Sequence, residues 1–321
     1  MKTRLTTRFD LRYPIVSAPM AGAAGGALAT AVTHAGGFGF IGGGYSDPDW
    51  IAAEFANAGN AAVGCGFITW KLAEGPGGGV PLVASVLKRK PRALFFSFGD
   101  FAPFMPLAKD AGVPVMAQVQ TVAQARQAAD MGADVIVAQG GEAGGHGATR
   151  GTMSLVPEVV DAVGARAIIL AAGGIADGRG LAAALMLGAD GVLIGSRLWA
   201  SAEALVPQGF HAAAVTASGD DTARTSLPDI ARGLDWPAPY TIRTLRSDWV
   251  KRFEEVEGGP ATPDARSAYA AAMAAGDAAN AAAIVGEAVG LIRDIRPAGQ
   301  IVEEIGQTAQ GLLTAAAKGN E

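Results

Sequence analysis

Three short stretches of this chain gather residue types that can do chemistry, and each lies where an apolar run ends. The first is Gln139-Gly140-Gly141-Glu142-Ala143-Gly144-Gly145-His146-Gly147. His146 titrates near neutrality, which suits a group that takes or gives a proton beside a reacting carbon. The competing reading is a histidine that satisfies backbone groups of its own loop. The surrounding glycines are too flexible for core packing, so the loop is expected to hug a ligand. Glu142 either orients His146 or is solvated. Gln139 offers both a donor and an acceptor to a polar ring edge.

The second stretch is Ala171-Ala172-Gly173-Gly174-Ile175, followed by Asp177-Gly178-Arg179-Gly180. A predicted strand ends in two glycines and a helix begins shortly after. Without side chains, Gly173 and Gly174 leave backbone N–H groups free to reach a phosphate. The next predicted strand ends in Gly195-Ser196, where a glycine N–H and a hydroxyl can serve the same anion. Taken singly, each is as well read as a tight turn, with Asp177 as helix N-cap. At adjacent strand ends they favour a phosphate. The third stretch, Ser17-Ala18-Pro19-Met20-Ala21-Gly22, ends the first predicted strand. Pro19 stiffens the loop, and its small neighbours let backbone groups face a flat ligand. A plain strand-to-helix turn competes. Gln118 closes the fifth predicted strand and points into the same mouth.

The elements that must position these residues alternate. Strand candidates are 13–17, 38–41, 61–66, 93–97, 114–119, 134–138, 167–171 and 191–194. Helix candidates lie between them, near 25–35, 48–58, 79–89, 102–111, 121–131, 153–163 and 178–187. Continuous apolar strands separated by helices are parallel and covered on both faces. The turn Gly132-Ala133-Asp134 returns as Gly188-Ala189-Asp190, a spacing of about two βα units. These features predict a (β/α)8 TIM barrel over residues 1–200, with an open doubly wound sheet as the alternative. Residues 201–321 are expected to be an irregular segment, 219–241, plus helices near 244–256, 264–275, 279–292 and 299–317. These pack on the barrel as a lid or a homo-oligomer interface, and nothing in them carries obvious chemistry. Gly36-Gly37-Phe38-Gly39 and Gly42-Gly43-Gly44 read as turns.

Composition narrows the field. Half of the residues are hydrophobic and 17% are charged, enough to bury a large core. A net charge of −5 gives no broad footprint for nucleic acid or an anionic membrane. The basic cluster Lys88-Arg89-Lys90-Pro91-Arg92 ends a predicted helix and reads as a solvated cap. Cys65 has no second cysteine to pair with and sits in an apolar run, as a buried inert thiol. No apolar stretch is long enough to span a bilayer and the N-terminus carries no leader pattern, so the cytoplasm is the expected location. No cluster has metal-ligand spacing, and His34 and His211 read as structural.

In their order along the chain these stretches resemble the nitronate monooxygenase family, formerly called 2-nitropropane dioxygenases. The resemblance runs from Pro14 to about Ala200, through Ala18-Pro19-Met20, Gln139 to His146, Ala172 to Arg179, and Gly195-Ser196. Asp221 to Thr225, and the chain on to Leu245-Arg246, resembles the family's downstream portion. It implies an FMN-dependent enzyme that oxidises alkyl nitronates with molecular oxygen. FMN is then expected at Ala18, Pro19, Met20, Gln118, Gln139, Gly144, Gly145, Gly173, Gly174, Gly195 and Ser196. His146 falls on the family's catalytic histidine, which takes the proton from a nitroalkane's α-carbon. Two departures bear on the substrate. Thr69-Trp70 follows the third strand where familiar members carry an Asn-containing turn, and Arg150 could add a cation to the mouth. The competing functions are an FMN- and NADH-dependent enoyl-acyl-carrier-protein reductase, a non-catalytic flavin-binding protein, and a non-flavin barrel with a phosphorylated substrate.

Overall fold

The computed structural model describes residues 1–318. Eight parallel strands form one sheet: β1 (Ile15–Ser17), β2 (Phe40–Gly44), β3 (Gly64–Ile68), β4 (Leu94–Ser97), β5 (Val115–Val119), β6 (Val135–Gln139), then β8 (Ile168–Ala172) and β9 (Gly191–Ile194). A short strand, β7 (Gly145–Gly147), intervenes between β6 and β8 and belongs elsewhere. The sheet runs β1-β9-β8-β6-β5-β4-β3-β2, and a parallel bridge from Val16 to Phe38 brings its ends together. The Ser17 hydroxyl accepts from the Phe40 N–H at 2.8 Å, so a side chain completes the seam that the short β1 leaves open. The architecture is the expected (β/α)8 barrel.

Period-two alternation sorts each strand. Val16, Phe40, Phe95, Met116, Val135, Val137, Leu170 and Leu193 fill the barrel interior. Ile15, Phe67, Phe96, Val115, Ala117, Ile136, Ile169 and Val192 face the helices. The same register carries Ser97, Gln118 and Gln139, two residues beyond Phe95, Met116 and Val137, to the top of the interior, where all three line a cavity. The interior is thus apolar below and polar at the mouth.

The repeated Gly-Ala-Asp turn has a physical purpose. Asp134 accepts the Val115 N–H at the start of the neighbouring β5, and Asp190 accepts the Ile169 N–H in β8, each at 2.9 Å. The carboxylate satisfies a donor that the ladder leaves open at the barrel's lower edge. The helix Arg4–Phe9 crosses that end, where Leu5 and Phe9 plug the interior. Arg4 pairs with Asp190 at 2.6 Å and Arg8 with Asp134 at 3.8 Å. Cys65 is buried in β3, and burial pushes its thiol up to about 12, which makes it inert as expected.

Beyond β9 the chain departs from expectation. Two further strands, β10 (Thr222–Thr225) and β11 (Thr241–Leu245), pair antiparallel with each other, and β11 pairs with β7. The segment expected to be irregular therefore holds a strand and a helix, Leu227–Arg232. Helix 244–256 shrinks to Asp248–Glu254, because its first residues belong to β11. Helix 279–292 is replaced by extended chain and one 3-10 turn, Glu287–Leu291, because the backbone at Ala283, Gly286 and Glu287 bonds to Leu245, Ser196 and Glu142 instead of within a helix. Trp199, Phe210, Leu227, Trp249, Tyr269, Val285, Val289 and Ile292 form a core of their own. The last helix, Ala298–Lys318, returns to the barrel and buries Ile301, Val302, Ile305 and Ala309 in the shell around the strands. Residues between Ala200 and Ala298 are thus inserted ahead of the barrel's closing helix.

Candidate active site

The strand tips surround a cavity of about 370 Å³, within the usual range for a small-molecule site. Ala18, Pro19, Met20, Gln118, Gln139, Gly144, Gly145, His146, Gly173, Gly174, Gly195 and Ser196 all line it. Residues singled out along nearly two hundred positions of sequence therefore meet at one mouth.

The two glycine tips are side by side because β8 and β9 pair with Ala172 opposite Leu193. The backbone N–H groups of Gly174, Gly195 and Ser196 find no acceptor among the described residues. A side chain at Gly195 would meet nothing nearer than the Ala18 Cβ at 3.8 Å, and one at Gly174 nothing nearer than the Glu142 Cβ at 3.6 Å. Both would project into the cavity. Gly173 and Gly144 are glycines for packing instead, since a Cβ would fall 2.8 Å from the Thr152 hydroxyl and 2.5 Å from the Gly286 nitrogen. The Asp177 side chain takes the Arg179 and Gly180 N–H groups, so the following helix is capped by its own residue. An anion here would be met by strand-tip amides and the Ser196 hydroxyl, which now accepts from the Gly286 N–H at 2.8 Å.

The turn Ala18-Pro19-Met20 folds over the tips of β2 and β3. Gly42 and Gly66 permit that approach, because a Cβ on either would fall within 2.4 Å of Met20 O or Pro19 Cβ. Gly42, Gly43 and Gly44 are therefore strand residues, not the expected turn. Phe98, just past β4, holds a left-handed φ of 61° at the cavity wall. An aromatic residue pays for that conformation in strain, which a packed site sustains.

His146 does not sit on a flexible loop. It is the central residue of β7, paired with Ile242 of β11. Two arginines grip the same segment. Arg224 donates to the carbonyls of Gly141, Ala143, Gly147 and Thr241, at 2.6–3.2 Å. Arg243 donates to Gly141 at 2.9 Å and pairs with Glu287 at 2.9 Å. Burial and the neighbouring Arg243 lower the Arg224 guanidinium to about 10, still charged at neutral pH. From the barrel side, the Gln139 amide donates to the His146 carbonyl at 3.1 Å. Gln118 and Gln120 in turn donate to the Gln139 carbonyl at 3.0 and 2.8 Å.

The imidazole itself is framed by the inserted segment. Nε2 lies 2.9 Å from Oδ2 of Asp229, a residue only 2% exposed. The Trp236 indole stacks on the ring with centroids 3.3 Å apart and planes 8° from parallel. Tyr45, Phe98 and Trp70 surround that indole. Burial depresses the His146 pKa below the ordinary histidine value. The Asp229 hydrogen bond and charge oppose this, while Arg232 and Arg224 reinforce it. The ring is consequently neutral at pH 7, a base in its receptive form.

Two expectations are corrected. Glu142 does not orient His146; its carboxylate accepts the Thr152 N–H and hydroxyl and braces the loop. Arg150 adds no cation to the mouth, because it pairs with Glu158 at 2.5 Å on the exposed helix beyond. Sequence reasoning missed Asp229, Trp236, Arg224 and Arg243. Trp236, between turn residues and Pro237, was the most visible of them.

The site is thus a closed parallel barrel with cavity-facing glycines at two adjacent strand tips and a buried histidine beside them, the layout of a (β/α)8 enzyme with its site at the C-terminal ends of the strands. The nitronate monooxygenase family profile matches residues 2–63 and 78–308. Nitronate monooxygenase npaC of Metarhizium robertsii is 36% identical over 94% of this chain and 92% of that protein. Among solved structures, FabK from Thermotoga maritima aligns over 99% of both chains with a TM-score of 0.85 and 30% identity. Nitroalkane oxidase from Streptomyces ansochromogenes aligns over 97% of this chain and 99% of that one, with a TM-score of 0.81 and 28% identity. The chain belongs to the nitronate monooxygenase family.

Proposed function

We propose that this enzyme binds FMN and oxidises alkyl nitronates, and the nitroalkanes from which they form, with molecular oxygen. The observation that carries the reading is the meeting of three unfilled backbone donors, at Gly174, Gly195 and Ser196, with the neutral imidazole of His146 in one cavity. The residues present fit the cofactor. Those amides and the Ser196 hydroxyl would take its phosphate, and the open space above Gly174 and Gly195 admits it. Ala18, Pro19, Met20, Gln118, Gln139, Gly144 and Gly145 would line the remainder, with Gly173 turning the chain beneath. The chemistry FMN brings to the site is acceptance of an electron from the nitronate on the way to oxygen.

The chain's own residues prepare that chemistry. His146 is held against the mouth by β11, Arg224, Arg243 and Gln139, so its ring is placed before substrate arrives. A neutral nitroalkane must lose a proton from carbon, and the imidazole receives it. Trp236 covers one ring face and keeps water from it.

The test has two steps. The purified protein should show a flavin visible spectrum. It should then consume oxygen on propionate 3-nitronate without NADH. Absence of uptake together with brisk NADH oxidation on an enoyl thioester would replace the reading with an enoyl reductase. A yellow protein inert in both assays would leave a flavin-binding protein.

A further inference from the structure

We propose that Asp229 is the positioning residue that makes His146 a one-sided base: it holds the proton on Nε2 so that Nδ1 alone receives the substrate's proton. The inference rests on the proposed function for its substrate and on the geometry of the dyad for its content. The carboxylate of Asp229 approaches Nε2 at 2.9 Å, and both side chains are buried. A carboxylate can only accept, so the nitrogen facing it must carry the hydrogen. The neutral ring then has its lone pair on Nδ1, which has no hydrogen-bond partner among the described residues and belongs to a ring lining the cavity.

Asp229 is poorly explained as a structural residue. Its second oxygen, Oδ1, is buried with no hydrogen bond among the described residues. The nearest cation, Arg232, stands 3.9 Å away. A half-satisfied buried carboxylate destabilises a fold, and a well-packed apolar side chain would serve the helix Leu227–Arg232 better. Among the described residues the imidazole is the one hydrogen-bond partner of this carboxylate. During proton abstraction the C–H bond at the α-carbon breaks, its electron pair passes into the nitro group to leave a nitronate, and the proton lands on Nδ1. The ring becomes a cation in a buried place already facing Arg232 and Arg224, with Arg243 on the paired strand behind. Asp229 supplies the charge that offsets it.

A preformed nitronate needs no such step, and this gives the test. In Asp229→Asn, kcat/KM for a neutral nitroalkane should fall about 10²- to 10³-fold, and at least ~30-fold more than kcat/KM for propionate 3-nitronate. The acid limb of the nitroalkane profile should move to lower pH, because burial and the arginines then act on the ring unopposed. Mere loosening of the site would wet the ring and move that limb up toward the ordinary histidine value. Asp229→Glu, which keeps the carboxylate, should recover at least about tenfold. A second readout is independent of turnover. Nitrogen-15 spectra of the imidazoles, with His146→Asn supplying the assignment, should show Nε2–H in the native protein and a changed tautomer balance in Asp229→Asn. Equal losses on both substrates, an acid limb that rises, a native protein active on nitronates but not on nitroalkanes, or an Nδ1–H tautomer would each overturn the proposal. Inactivity on nitronates would remove the proposed function, while the tautomer spectrum would still decide what Asp229 does to the ring.

Discussion

The barrel rim and the inserted segment build the same cavity by opposite means. The rim contributes backbone: glycines at the ends of β8 and β9, a tight turn over β2 and β3, and amides left free to meet an anion. The inserted segment contributes side chains: Asp229 and Trp236 on the imidazole, Arg224 and Arg243 on the loop behind it. A closed parallel barrel holds its strand ends in place by pairing on both sides, so bare backbone suffices where a ligand meets the tips. A catalytic ring has to be oriented, covered and tuned. That takes polar and aromatic groups arriving from outside the strands, and the insertion brings them.

The division can be broken from either side. The largest effect is expected where the two halves meet. His146→Asn should lower kcat/KM for a nitroalkane by about 10²- to 10⁴-fold while the visible flavin spectrum persists, since the residues proposed to take the phosphate are others. Loss of bound flavin in this variant would show that the halves are not separable. Removing the clip on the insertion's side comes next. Arg224→Met takes a guanidinium donor from four carbonyls, of which Gly141 keeps Arg243, and should cost about 2–3 kcal/mol, read as a thermal midpoint several degrees lower. An unchanged midpoint would mean that β7 and β11 hold the loop unaided. On the rim, Gly195→Ala meets open space, and its φ of −100° lies outside the left-handed region. It should weaken the proposed FMN binding about tenfold, by fluorescence titration, and move the apo midpoint by no more than about 1 °C. A large loss of apo stability would recast Gly195 as a packing glycine like Gly173.

The smallest effect is one of pH. His146 is held neutral when folded, with its pKa depressed mainly by burial. The unfolded chain binds that proton more readily, so stability should decline as pH falls from the ordinary histidine range toward the depressed folded value. Denaturant midpoints measured from pH 7.5 to 5 should fall less steeply in His146→Asn than in the native protein. Identical slopes would place the acid sensitivity elsewhere.

By itself, the sequence determined the alternation that makes a barrel, the strands' two-faced pattern, and the places where glycine replaces side chain at a tip. These are local signals: a period of two, an Ala-rich helix, a Gly-Ala-Asp turn whose aspartate reaches only to the preceding barrel strand. The resemblance added a role for His146 that spacing alone left open. Only the tertiary structure decided what surrounds it. Asp229 reaches His146 across 83 positions of chain, and Arg224 reaches Gly141 across the same separation. No periodicity encodes such a meeting. Nor could composition show that 145–147 is a strand, since three residues dominated by glycine have no strand propensity and form one only because β11 lies alongside. Local backbone preference is written residue by residue; the partner of a buried charge is chosen by the packing of the whole chain.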